Sequence, residues 1–380
     1  MPQTAMRPMR LMRSATTVAA AMAFSAVGLT MAQAQDGRTT CYPGTPDAPL
    51  EDTVIVNTTG GTITDALQEA FWDDFEKECG VRVERFDMTA RTFTQLQQFA
   101  GQTTAPFDMG NTYLPEEFQQ GVDAGLFYKL PQGFFDDVKD ELLPGSYNEY
   151  GVWAYVVVRL MITNTEMLPD GLPDWAAFFD GKAFPGPRAI QDIPRTAITV
   201  ALLAKGYKAD EIYPMSVEKM DEAFEVLDRL KPYIRTLTTK SDQPVQGVAA
   251  GDFAASYANT ARTIPAIEDG LPVAINWDAG GDVLNYYFYV IKNAAHPRAA
   301  MALIHYQQDA KRQARFFELF GYSASNAKVT DFLSPKDVDE VNNAVKLFTD
   351  TAEAQNWWVV NNAEVMKRWE AWKAAGGFGG

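Results

Sequence analysis

The chain has 380 residues, of which 49 are acidic and 33 basic, so its net charge at pH 7 is −16. A surface with this excess of carboxylates repels phosphate backbones and anionic lipid headgroups, which argues against nucleic-acid binding and peripheral membrane binding. The net charge says nothing about a ligand, because the field inside a cleft depends on the residues that line it.

The first 34 residues have the pattern of an export signal. Three arginines between residues 7 and 13 precede an apolar, alanine-rich stretch over 15–29, and Ala32-Gln33-Ala34 fits the small-x-small pattern of signal peptidase. The stretch is shorter than the roughly 20 residues of a membrane span. We therefore expect cleavage after Ala34 and a periplasmic protein. The rest of the sequence contains no apolar stretch of about 20 residues.

Few residues are available for thiol, metal or cofactor chemistry. Cys41 and Cys79 are the two cysteines, and in an oxidising compartment we expect them to form a disulfide, the alternative being two free or buried thiols. His296 and His305 are the two histidines, and their positions suggest surface or packing roles. We expect neither a metal nor a cofactor.

The first elements form a βαβ unit. Residues 53–57 read as a buried strand that ends at a Gly60-Gly61 turn. Apolar residues from Leu67 to Phe75 then recur at helical spacing, and Gly80 ends the helix. A strand over 81–86 completes the unit, which predicts an α/β protein with a parallel sheet.

Two long strands are predicted to cross between lobes. The first is the β-branched stretch 151–162, and the second is 286–291, which follows a strand at 273–277 and a flexible joint at 278–281. The predicted helices cover 92–101, 115–124, 174–180, 195–206, 216–237 and 299–320. The whole predicts a hinged clamp, whose ligand lies between the lobes at the carboxyl ends of the strands.

We divide the chain accordingly. The predicted parts are a signal peptide (1–34), a leader (35–51), the first part of lobe 1 (52–155), lobe 2 (156–280), a return segment of lobe 1 (281–330) and C-terminal helices packing on lobe 2 (331–380).

Catalytic motifs are missing from the sequence. It contains no His-Glu-x-x-His, Gly-x-Ser-x-Gly, phosphate-binding loop or Cys-x-x-Cys. We therefore predict that the protein is not an enzyme. A secreted hydrolase that uses two carboxylates is the alternative from another class, although the acids are too many for one pair to stand out.

Several segments in consistent order carry a family resemblance. They are 70–81, 174–186, 192–195, 201–204, 274–277 and 321–326. Over about 52–330 the chain resembles the extracellular solute-binding proteins of the spermidine/putrescine-binding type. The resemblance implies a two-lobed type II periplasmic binding protein fold with hinge-crossing strands. It also implies capture of a small solute and its delivery to an ABC permease, and we expect a monomer. A sensor's ligand-capture subunit would share the fold.

The charge of the solute stays open between two hypotheses. Where polyamine binders of this type have aromatic rings and carboxylates, this sequence has Thr59, Thr196, Ala258 and Tyr287. An unpaired ammonium in a closed cleft costs several kcal/mol, so the replacements favour an organic acid or zwitterion. Polyamine binding is the alternative.

Sixteen residues are candidates for ligand contact. They are Thr58, Thr59, Gly60, Asn111, Tyr113, Trp153, Tyr155, Asp192, Arg195, Tyr257, Asn259, Arg262, Trp277, Asp278, Tyr286 and Tyr287. An arginine, such as Arg195, Arg262 or Arg91, could grip a carboxylate with two hydrogen bonds. Asp192 and Asp278 would instead hold a cation; if Asp192 does not contact a ligand, we expect it to cap the next helix. We interpret Trp357 and Trp358 as packing residues.

Overall fold

The computed structural model describes residues 41, 49–88, 92–111, 114–346 and 351–378, without the side chains of 343–346 and 352. The predicted export signal and most of the predicted leader lie outside these residues. Among the helices that are described, none combines the length and the apolar composition needed to cross a bilayer.

One mixed sheet runs through the molecule. Its strands are β1 (Thr53–Thr58), β2 (Arg82–Asp87), β3 (Met109–Asn111), β4 (Tyr147–Asn148), β5 (Gly151–Asn164), β6 (Arg188–Gln191), β7 (Ile234–Thr238), β8 (Ala255–Asn259) and β9 (Val273–Val290). Their order is β2-β1-β3-β9-β5-β8-β6-β7, with β4 paired to β5.

Helices cover the sheet, as expected for an α/β protein. They are α1 (Thr62–Leu67), a π-helical turn (Gln68–Trp72), α2 (Asp73–Cys79), α3 (Phe93–Ala100), α4 (Pro115–Asp123), α5 (Trp175–Phe179), α6 (Pro194–Lys205), α7 (Val217–Leu230), α8 (Gln243–Ala249), α9 (Thr260–Glu268), α10 (Pro297–Tyr306), α11 (Ala310–Phe320), α12 (Pro335–Lys346) and α13 (Ala352–Gly376).

The predicted βαβ unit is confirmed. Strands β1 and β2 pair in parallel, with Thr53 opposite Arg82. The intervening helix ends at Gly80, whose φ of 64° is the left-handed conformation that glycine adopts without strain. The predicted disulfide between Cys41 and Cys79 is also present, with 5.8 Å between the Cα atoms.

The two crossing strands differ in detail from the prediction. Strands β5 and β9 are antiparallel partners from Gly151 to Asn164, so the predicted joint at 278–281 lies inside β9. A register shift beside Leu160 accommodates the extra residues of β9. Gly281 packs so closely on β5 that a Cβ atom there would lie 2.1 Å from the Arg159 carbonyl oxygen. Here glycine permits close strand packing and does not make a loose joint.

Two predicted helices differ from those in the structure, one in its end and the other in being divided. Helix α7 stops at Leu230, and residues 234–238 form β7. Pro232 has no N–H to donate, and the β-branched residues after it pair with β6. The helix predicted over 299–320 is two helices, because the Asp309 side chain caps the start of α11.

The described residues form several apolar cores, of which two are the largest. One draws mainly on residues 50–157 and 286–322, and another on residues 161–257 together with Trp358, Trp369 and Trp372 of α13. The boundaries of the two lobes remain a prediction.

Candidate functional site

A cavity of about 530 Å³ lies where the carboxyl ends of several strands meet. Thr59 follows β1, Gln191 ends β6, Thr238 ends β7 and Asn259 ends β8, and all four line the cavity. Helices α1, α4 and α13 supply further wall residues, and β5 with β9 form the floor. Such a position is where open α/β sheets bind ligands.

Arg159 is a buried cation on the cavity floor. It lies opposite Asp282 in the pairing of β5 with β9, and its Nη1 is 3.7 Å from Asp282 Oδ2. Burial lowers the pKa of Arg159, but the Tyr286 hydroxyl and the Asp282 carboxylate raise it, and the net shift is upward. Within the described part of the chain, Nε and Nη1 have no hydrogen-bond acceptor. The floor therefore carries a guanidinium whose hydrogen-bonding capacity is only partly used by the described residues.

Arg195 and Glu116 form an ion pair at the cavity wall. Arg195 Nη1 lies 2.6 Å from Glu116 Oε2, and the two side chains are 4% and 3% exposed. Each residue follows the proline that begins its helix, which fixes the first turn of α6 and of α4. The guanidinium carbon of Arg195 is 5.8 Å from the centre of the Trp358 ring. The pair thus joins α4 to α6, and Glu116 is already neutralised.

Asp192 is also engaged within the protein. Its Oδ1 accepts a hydrogen bond from Trp369 Nε1 at 2.6 Å, and its Oδ2 accepts one from Lys373 Nζ at 2.9 Å. Asp192 and Glu116 are the two carboxylate residues among those lining the described cavity. Both therefore hold partners supplied by the protein itself.

Arg262 has a different environment from the other two arginines. Its guanidinium lies over the Phe320 ring at 5.1 Å, and Nη1 donates to Thr62 Oγ1 at 3.4 Å. Among the described residues it has no carboxylate within ion-pair distance. Its charge is available to a ligand that enters the cavity.

Two amide oxygens and several rings complete the walls. Gln191 Oε1 and Asn259 Oδ1 accept no hydrogen bond from any described residue. Asn259 Nδ2 donates to the Tyr322 hydroxyl at 3.1 Å, and burial raises the pKa of Tyr322 to about 12. The ring of Tyr322 stacks on Tyr155, with 5.4 Å between the centroids. The Tyr322 hydroxyl is therefore protonated at physiological pH.

Seven of the predicted ligand residues line the cavity. They are Thr59, Tyr155, Asp192, Arg195, Asn259, Arg262 and Tyr286. Tyr113 and Arg91 lie outside the described residues. The other candidates are not among the cavity-lining residues: Thr58, Gly60, Asn111, Trp153, Tyr257, Trp277, Asp278 and Tyr287.

Other contacts explain most of these positions. Asn111 supports the site from behind, since its Nδ2 donates to the Tyr155 hydroxyl at 2.8 Å. Tyr257 is fully buried and its hydroxyl donates to the Gln191 carbonyl oxygen at 3.1 Å. Tyr287 stacks on Phe118 at 4.2 Å, and Asp278 is exposed.

Thr58, Gly60, Trp153 and Trp277 also have structural surroundings. Thr58 hydrogen-bonds Thr64, and Gly60 forms the turn after β1 with φ of 74°. Trp153 belongs to an apolar core, and Trp277 packs against the same core.

Sequence reasoning missed several wall residues. Arg159 had a detectable signal, a single charge within an otherwise apolar strand, and such a buried charge needs a partner. Glu116 had none beyond its place in a helical first turn. Trp358 packs on the second core as we interpreted it, and it lines the cavity as well. No group of three or more metal-ligating side chains occurs within the described ranges.

Comparisons with known proteins identify the chain's relatives. A family model described as bacterial extracellular solute-binding protein matches residues 70–349. The chain is 30% identical to the γ-aminobutyric acid-binding protein of Pseudomonas aeruginosa over 319 residues, which is 83% of this chain and 89% of that protein.

Solved structures establish the fold. The Atu4243–GABA receptor structure matches with a TM-score of 0.75 and 24% identity, covering 84% of this chain and 97% of that one. AgtB of Agrobacterium tumefaciens R10, in complex with agropinic acid, matches with a TM-score of 0.70 and 24% identity, covering 85% and 99%. PotD of Streptococcus pneumoniae, a spermidine/putrescine transporter subunit, matches with a TM-score of 0.65 and 15% identity, covering 85% and 100%. The predicted type II periplasmic binding fold is confirmed.

Proposed function

The chain belongs to the family of bacterial extracellular solute-binding proteins and is a substrate-binding component of ABC transporters, and we propose that its solute is a carboxylate-bearing amino acid such as γ-aminobutyrate. The proposal includes export to the periplasm after cleavage of the signal peptide, work as a monomer and delivery to an inner-membrane permease. It assigns no catalytic step, since the relatives are solute-binding proteins.

The balance of charges in the cavity carries the proposal. Glu116 and Asp192 already hold cations of the protein. In contrast, Nε and Nη1 of Arg159 have no hydrogen-bond acceptor, and Arg262 has no carboxylate partner, among the described residues. A dication would find no unengaged carboxylate among the described wall residues, and an unmatched buried charge costs several kcal/mol. A carboxylate would accept charge-assisted hydrogen bonds from the guanidinium groups.

The remaining wall groups suit the amino end of such a molecule. Gln191 Oε1 and Asn259 Oδ1 can accept hydrogen bonds from an ammonium, and neighbouring tyrosine faces attract a cation. The names of two relatives support an organic acid, since one is a γ-aminobutyric acid-binding protein and another is in complex with agropinic acid. Closure of the lobes would then bury both ends of a zwitterion.

A binding assay tests the class of solute. The purified protein is titrated calorimetrically with γ-aminobutyrate, n-butyrate, putrescine and spermidine, and its thermal stability is followed in parallel. A ligand at about one hundred times its Kd stabilises the fold by about 2.7 kcal/mol, which a melting curve resolves. Tighter binding of putrescine or spermidine than of γ-aminobutyrate would overturn the proposal.

One arginine substitution links binding to the cavity. Arg262→Ala should weaken γ-aminobutyrate at least tenfold, because the carboxylate loses an unpaired cation in the wall. Arg235→Ala is the matched control, since Arg235 is exposed on β7 and does not line the cavity. Equal Kd values for the two variants would contradict the proposal that Arg262 binds the carboxylate of the solute.

A further inference from the structure

The last helix contributes directly to the binding cavity. Trp358, Asn362 and Met366 of α13 line it, each four residues from the next and therefore on one face of the helix. Trp369 and Lys373 continue that face, and both bind Asp192, which itself lines the cavity. The matched family region ends at residue 349, before α13 begins. The helix thus adds a wall from outside that region.

Several contacts hold α13 in place. Trp358 is 1% exposed, and its Nε1 donates to the Tyr213 hydroxyl. Gln355 Nε2 donates to the Tyr287 hydroxyl on β9 at 3.3 Å. At the other end, the Asp192 carboxylate accepts hydrogen bonds from two residues of the helix. An element held at both ends places its intervening side chains reproducibly, as selective recognition requires.

We propose that α13 is a specificity-determining wall of the site, in which Asn362 contacts the bound amino acid and Asp192 is a positioning residue that holds the helix. This rests on the proposed function and deepens it. The Asn362 amide can donate to a carboxylate or accept from an ammonium. It therefore distinguishes a ligand with polar ends from an isostere that ends in a methyl group, because burying an unmatched amide costs binding energy.

Two neighbouring asparagines allow a matched test. Asn362 lines the cavity, whereas Asn361 Nδ2 donates to the Trp357 carbonyl oxygen at 2.8 Å within the helix and does not line it. The Kd values of γ-aminobutyrate and n-butyrate are measured by calorimetry for the full-length wild type, Asn362→Leu and Asn361→Leu. We expect Asn362→Leu to change the ratio of the two Kd values at least tenfold and Asn361→Leu to leave it within twofold.

Asp192→Asn tests the positioning role. It should lower Tm and also change the ratio of the two Kd values, whereas a purely structural role would lower Tm alone. If the wild type binds γ-aminobutyrate but neither Asn362→Leu nor Asp192→Asn changes the ratio of the two Kd values, the inference about α13 is wrong. The proposed function would then remain intact.

The outcome for the wild type separates the two ideas. If it binds neither acid, the proposed function fails, and the same variants are titrated with putrescine. A tenfold change in the putrescine Kd of Asn362→Leu would then support the role of α13 in ligand binding, and an unchanged Kd would contradict it.

Discussion

Asp282→Asn isolates the charge that balances the buried arginine of the cavity floor. Arg159 Nη1 and Asp282 Oδ2 are 3.7 Å apart, and the side chains are 7% and 1% exposed. At an effective dielectric constant of about 20, two unit charges at that distance attract by about 4 kcal/mol. Removal of one partner from a buried pair typically costs about 3–5 kcal/mol. We expect the free energy of unfolding to fall by about 4 kcal/mol.

Urea denaturation followed by tryptophan fluorescence measures this loss as a fall in the midpoint at unchanged slope. Thr196→Val is the control, because Thr196 Oγ1 donates to Asp282 Oδ2 at 2.6 Å and its removal leaves the charge in place. A hydrogen bond to a charged group is worth about 1.5–3 kcal/mol, so the control should lose less. The double variant should lose less than the sum, since both changes act on one carboxylate.

Ligand binding adds a second measurement to the same variant. A bound acid would supply a negative charge beside Arg159, so saturating γ-aminobutyrate should stabilise Asp282→Asn more than it stabilises the wild type. A loss below about 1 kcal/mol in the ligand-free variant, which is the range of ordinary surface substitutions, would refute the reasoning.

Three further predictions concern stability. Cys41→Ser should lower the free energy of unfolding by about 2–4 kcal/mol under non-reducing conditions, because the disulfide closes a loop of 38 residues; urea curves with and without reductant check this. Gly281→Ala should cost at least about 2 kcal/mol in the same assay, because its Cβ would meet the Arg159 carbonyl oxygen. Burial raises the pKa of Glu340, so the folded state binds its proton more tightly than the unfolded state, and stability is lost as pH rises through that raised pKa. Glu340→Gln should therefore stabilise the protein at pH 7 and have little effect at about pH 3; equal effects at both pH values would contradict the assignment.

Local patterns account for the parts of the fold that were predicted correctly. The first strand, its helix and the stop at Gly80 follow from apolar periodicity and a glycine that tolerates positive φ. The continuous apolar run of β5 likewise marks a strand buried on both faces. The single long β9 was not predicted, because its middle residues become a strand through pairing with β5, more than 100 residues earlier in the chain.

The candidate site was likewise predicted only in part from the sequence. The sequence alone indicated an exported α/β clamp, and it placed polar residues at the strand ends where the cavity lies. Only the tertiary structure decided which charges face a ligand: Arg195 meets Glu116 across 79 residues, and Asp192 meets Lys373 across 181. Such pairs depend on distances in space, which the order of residues does not specify. Because Arg195 and Asp192 already have partners within the protein, an anion is left with Arg262, which has no carboxylate partner among the described residues, and with the Arg159 N–H groups that lack an acceptor there.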